Sequence, residues 1–276
     1  MGRLLASLRH ALGLLTGAAR RTETLSASTA SFSPIRTEAD WLTCADPTAM
    51  LQFIQSQASE RKRRLFAIAC CRLIWHLFSD ERSCKVVEVA ERLTDRLADE
   101  EERQTALALA RETVSQLPVV TSGREEDYLR AAVNASMPTI AALAARATIQ
   151  DDGGLAYFWC LFAAYKAADD KAVADVNTRT AQVVALRDIF GNPFRLAPVI
   201  EPAVLAWNDR TVVRLAQRAY EERSLPDGTL DLARLAILAD ALEEAGVTDT
   251  LLLKHLRGPG PHVRGCFAID AILGRT

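Results

Sequence analysis

Nowhere does this sequence run for the roughly 18 uncharged apolar residues that a bilayer-spanning helix needs. It holds no Cys-x-x-Cys pair, so the spacing of a zinc finger or knuckle is missing. No Gly-x-Ser-x-Gly elbow, His-Glu-x-x-His pair or kinase signature occurs, and the glycine spacing matches neither a Walker loop nor a dinucleotide fingerprint. An excess of charge is also missing. Lys and Arg number 33 against 35 Asp and Glu, a net charge of −2, so the chain lacks the global basic footprint of a nucleic-acid binder. The β-branched runs are short and never alternate cleanly between turn signals, which argues against a sheet. No fixed-period repeat supports a solenoid.

What remains is helical. Hydrophobic residues make up 49% and charged residues 25% of 276 positions, ample for a sizeable core. The predicted fold is all-α: one irregular multi-helix bundle over 37–276, preceded by an arm and linker over 1–36. Denser cores are expected at 37–97 and 186–276, with an alanine-rich middle at 98–185. In the arm, Leu4, Leu5, Leu8, Leu12 and Leu15 share one helical face, and Arg3, Arg9, Arg20 and Arg21 precede any acid. Such a segment suits docking on the domain itself or a partner, an anionic membrane surface, or a weak export signal. Thr24 to Pro34 is Ser/Thr/Ala-rich and patternless, the composition of a mobile linker.

Start and stop signals place the helices. Thr37 with Asp40 forms a capping box, and Pro47 opens the next helix. Ser59 caps a long helix expected to reach Phe78, and Asp80 starts another through Leu97. Further helices are expected from Asp99 to Gln116, from Glu125 to Thr148 with a break at Pro138, and from Leu155 to Phe190 after Gly153–Gly154. Gly191–Asn192–Pro193 stops that last one. Asn208 or Asp209 caps the next. Leu232 to Ala245 follows the Pro226–Asp227–Gly228 turn, and Thr248 or Asp249 opens a short helix. The final helix is expected from His262 to Leu273.

Several constellations could carry chemistry. Arg72 and His76, four apart in an otherwise apolar helix, should share a face. A buried arginine keeps its charge and needs a carboxylate, so Arg72 is expected to pair with Asp270, the lone acid in FAIDAIL, with Asp240 as second choice. His76 in such a pocket would be a proton-transfer group. The loop RGPGPHVRG places Arg257, His262 and Arg264 around a helix start, a possible anion site; the alternative is a plain connector. Arg61 to Arg64 form a basic cluster, read chiefly as a solvated face and secondarily as a weak nucleic-acid contact. Cys70, Cys71, His76, His255, His262 and Cys266 are metal-ligand types. Of these only His262 and Cys266, four apart on the expected last helix, could chelate together. Of the six cysteines, Cys70, Cys71, Cys84 and Cys160 fall inside expected helices, as reduced core thiols do, which suggests a reducing cytoplasm.

The blocks TEADWLTCADPTAML, RLFAIACCRLIWHL, DERSCKVVEVAERL, IFGNPFR, WNDRTVVRLAQ, LAILADALEEAG and HLRGPGPHVRGCFAIDAILG, in this order, resemble a paralogous family of uncharacterised bacterial proteins. The resemblance covers about Thr37 to Leu97 and Leu186 to Gly274. It implies no activity and carries over no catalytic residue. Phe267 stands where the family has Trp, and Leu256 where Cys is frequent; the second departure weakens a metal reading of the loop. The leading functional expectation is a non-enzymatic interaction or scaffold module with an unknown protein partner, no cofactor and no catalytic residue. The alternatives are a small-anion binder or enzyme at Arg257, His262 and Arg264, and a weak nucleic-acid binder at Arg61 to Arg64.

Overall fold

A computed structural model describes residues 35–54, 56–114, 144–146, 148–149 and 171–275. The leucine-striped arm, most of the linker, Pro138, Gly153–Gly154, Cys160 and most of the alanine-rich middle lie outside these residues. Among the described residues the chain is all-α, as its periodicity predicts; two isolated bridges, Ser224 with Thr229 and Thr229 with Val263, are the strand-like pairings.

The first half builds one core. Helix α1 (Glu38–Thr43) starts at the reciprocal Thr37–Asp40 capping box. Helix α2 (Pro47–Ile54) follows, then α3 (Glu60–Leu73), whose Ser59 cap accepts from the Lys62 N–H. Helices α4 (Glu81–Thr94, capped by Asp80) and α5 (Glu100–Val114) pack together. Helix α6 (Lys171–Phe190) lies across α2 and α3 and supplies Leu186 and Ile189 to the core around Trp41, Phe66, Cys70 and Cys71. Gly191 ends α6 in the left-handed conformation, φ +65°, where an L side chain would be strained and its Cβ would press within 3.0 Å of the Phe267 ring. The Trp41 indole donates to the Gly191 carbonyl at 3.1 Å, and Arg187 donates to the Trp41 and Cys44 carbonyls, so α1 is latched to the end of α6.

The second half builds another core from α7 (Pro202–Glu221), α8 (Leu232–Glu244), α9 (Thr250–Leu256) and α10 (Phe267–Leu273). Asp231 and Asp249 cap α8 and α9 through their side chains. Helix α7 begins earlier than its Asn208 or Asp209 signal predicts. Its two pieces join through Asn208, Asp209 and Arg210, all at positive φ. Three consecutive left-handed non-glycine residues are costly, about 1–2 kcal/mol each.

Three expected helices are shorter in the structure. The one expected to reach Leu97 ends at Thr94, with Arg96 at φ +58°. Helix α3 stops at Leu73, and Trp75–Leu77 forms a 3-10 turn closed by the Leu77 and Phe78 N–H groups on the Ile74 and Trp75 carbonyls. That turn leaves His76 exposed, not stacked on Arg72. The last helix starts at Phe267 rather than His262. Its expected first turn is consumed by other bonds: the His262 carbonyl accepts from Leu230, the Val263 N–H goes to Asp188, and Gly265 sits at φ +92°. The two cores meet along a seam formed by α3, α4 and the end of α6 on one side and α7, α10 and the 257–266 loop on the other.

Candidate functional site: the polar seam

Three polar groups occupy this seam. The first is centred on Glu91 of α4. Arg72 forks onto it, Nε to Oε1 at 3.0 Å and Nη2 to Oε2 at 2.8 Å, and Arg223 forks onto it from the second core at 2.8 and 2.6 Å. The remaining Arg72 nitrogen, Nη1, donates to the Pro226 carbonyl, and the guanidinium lies 4.0 Å from the Trp75 ring centroid. Burial pushes the Glu91 carboxyl up, but the bonds from Arg223 and Arg72 outweigh it and hold it below the ordinary glutamate value.

The second knot joins Arg61 to Asp270. The guanidinium reaches both carboxylate oxygens, at 2.6 and 3.0 Å, and the Tyr220 hydroxyl at 3.0 Å. Tyr220 in turn donates to Asp95 at 2.8 Å, and Arg264 and Arg275 reach the same Asp95 from the C-terminal segment while flanking the Tyr220 ring. Burial drives the Asp270 carboxyl above its ordinary value, an effect Arg61 offsets only in part.

These pairings correct the expected partnership of Arg72 with Asp270. Arg72 lies about three turns further along α3 than the residue that reaches Asp270; Arg61, at the start of the helix, occupies that place. Asp240, the second choice, is exposed on α8 and takes Arg257. His76 is exposed. The Arg61 to Arg64 cluster is half-buried rather than a solvated face. Lys62 donates to the Ile189 carbonyl at 2.8 Å, Arg63 to the Ala58 carbonyl, and Arg64 to Glu60.

The third group gathers histidines, a thiol and a carboxylate. Asp188, in the last turn of α6, is buried. His255 comes from the last turn of α9, His262 from the GPGP loop, and Cys266 is the residue before α10. His262 Nδ1 lies 2.7 Å from Asp188 Oδ1, His255 Nε2 lies 3.1 Å from that oxygen, and 3.2 Å separate His255 Nε2 from Cys266 Sγ. Asp188 Oδ2 accepts the Val263 N–H at 2.8 Å. Each of the four residues offers one ligand-type atom, and all four atoms lie within 4.8 Å of one another. Burial pushes the Asp188 carboxyl up, but the bonds from His255 and His262 outweigh it and hold the group low. Burial, reinforced by Asp188, pushes the Cys266 thiol well up.

The three residues expected to hold an anion are therefore directed to different partners. Arg257 meets Asp240 and Glu243 at the surface, His262 meets Asp188 inside, and Arg264 meets Asp95. His262 and Cys266 do converge, though through a loop rather than one helix face. Sequence reasoning placed His255 among possible ligands but missed Asp188, Glu91, Arg223, Asp95 and Tyr220. The signal for Asp188 was present: a lone acid in the apolar end of a helix, just ahead of a Gly stop. Among the described residues no helix is long and apolar enough to cross a membrane. No family model, curated protein or solved structure matches the chain.

Proposed function

We propose that this chain is a non-enzymatic helical scaffold that docks a protein partner. The observation carrying this is the loop between α6 and α7. It is fastened at its start, with Phe194 stacked on Phe53 at 5.1 Å between centroids and Arg195 paired with Glu38. Beyond that anchor, Leu196 is 97% exposed and Val199 85% exposed. Aliphatic side chains presented on a fastened loop suit a contact surface, since apolar area gains most when a partner removes it from water. The inward use of the seam arginines fits the same reading, because their charge holds the two cores in register.

The test is a photo-crosslinking residue at Ala197 in the full chain, expressed in the native host. A defined protein adduct should form, and it should vanish when Leu196 and Val199 are both changed to Asp, with the melting temperature unchanged. An adduct indifferent to those changes would overturn the reading. So would stabilisation by phosphate, a nucleotide or short DNA that is lost in Arg264→Gln, which would favour the small-anion site instead.

A further inference from the structure

The four-residue cluster at the seam is more than a hydrogen-bond network. One carboxylate oxygen, Asp188 Oδ1, faces two ring nitrogens at once, His262 Nδ1 and His255 Nε2, with the Cys266 thiol beside the second and His262 only 3% exposed. Hydrogen bonding alone gives no reason for two histidines and a cysteine to meet around one acceptor atom.

Coordination chemistry does. Two imidazoles, a thiol and a carboxylate form an N2SO donor set, which suits zinc and not the all-oxygen shells of calcium or magnesium. With ligand bonds of about 2.0–2.3 Å, tetrahedral geometry separates neighbouring donor atoms by about 3.3–3.8 Å. The nearest pairs here stand at 2.7, 3.1 and 3.2 Å and all four atoms lie within 4.8 Å of one another, so the short pairs would open by a few tenths of an ångström and the widest would close by up to about 1 Å to reach that geometry. Charge also balances. A divalent ion with one carboxylate, one thiolate and two neutral imidazoles is neutral overall, which removes most of the cost of burying an ion. The Val263 N–H on Asp188 Oδ2 orients that carboxylate, as an outer-shell bond should, and leaves Oδ1 to the metal. His255, with 22% of its side chain exposed, marks the route from solvent.

We propose that Asp188, His255, His262 and Cys266 form a four-coordinate zinc site that fastens the last turn of α6 to the C-terminal core. On binding, the Cys266 thiol releases its proton to solvent and its sulfur bonds the ion; no oxidation is involved. Four protein ligands leave no open position, so the role is structural. The inference goes beyond the scaffold reading and does not depend on it.

Metal analysis of the untagged full chain tests this, together with cobalt titration of the metal-stripped protein. The expected result is one zinc per chain. Cobalt should give the intense visible bands of tetrahedral coordination and a near-ultraviolet sulfur-to-cobalt transition. Cys266→Ser should abolish that transition, and His255→Gln should weaken zinc binding by more than about 100-fold, since changes outside the ligand shell alone cost 10–100-fold. A wild-type chain that takes up no cobalt, or shows only the weak bands of octahedral cobalt, would overturn the proposal whether or not the variants fold. A sulfur-to-cobalt transition that survives in Cys266→Ser would also overturn it, because another thiol would then hold the metal.

Discussion

The arginine knots and the histidine–thiol cluster lie in one seam between the same two cores, yet they are built on opposite principles. At Glu91 and at Asp270 each carboxylate meets a planar guanidinium fork. At Asp188 one carboxylate oxygen faces two imidazole nitrogens, with a thiol beside them. The first arrangement pairs opposite charges and acts by holding register. The second gathers metal-ligand atoms and is completed by an ion. Buried polarity in this fold therefore has two meanings, told apart by the kind of donor that gathers rather than by depth.

The comparison breaks most visibly at Glu91. Its replacement by Ala would leave Arg72 and Arg223 buried against each other without a counter-charge. Such a loss should cost about 3–5 kcal/mol, read as a fall in the urea midpoint at unchanged slope. A cost near zero would mean the knot adds nothing to stability. Gly265→Ala should come next, at about 2–3 kcal/mol. Its φ of +92° disfavours any side chain, and a Cβ there would stand 2.5 Å from Leu65 Cδ1. Thermal unfolding measures this.

A smaller effect separates the charge from the shape of the knot. Glu91 is held below its ordinary value when folded. Its contribution is thus fully present above the unfolded glutamate value near 4.3 and is lost as pH falls through the lower folded value. Melting temperature should drop below about pH 4.3 in the wild type, and drop less over that interval in Glu91→Gln. Equal slopes would show that other carboxylates govern acid unfolding. Least of all should happen at Arg257→Ala and His76→Ala, whose exposed side chains contribute too little for the midpoint to move measurably.

Helix positions are largely legible because caps and stops are local: Thr37, Ser59, Asp80 and Asp249 each hold a backbone N–H within three residues. The partners of buried charges are not, because they depend on which helix faces meet. Arg72 and Arg61 are both plausible mates for Asp270 in sequence, and only packing of α3 against α10 decides between them. The composition of the GPGP loop marks it as a site. Its ligand atoms converge only because Asp188, 74 positions from His262, arrives from another core. No spacing within the loop encodes that residue, while the helical spacing assumed for His262 and Cys266 was overridden by Val263 and Gly265.

The most direct measurement is equilibrium unfolding of wild type, Glu91→Gln and Cys266→Ser, each stripped of metal and then supplied with zinc. The account predicts that zinc stabilises wild type and Glu91→Gln alike, by about 2.7 kcal/mol at a hundredfold excess over its dissociation constant, and leaves Cys266→Ser unmoved. Equal stabilisation of all three proteins, or of none, would contradict it.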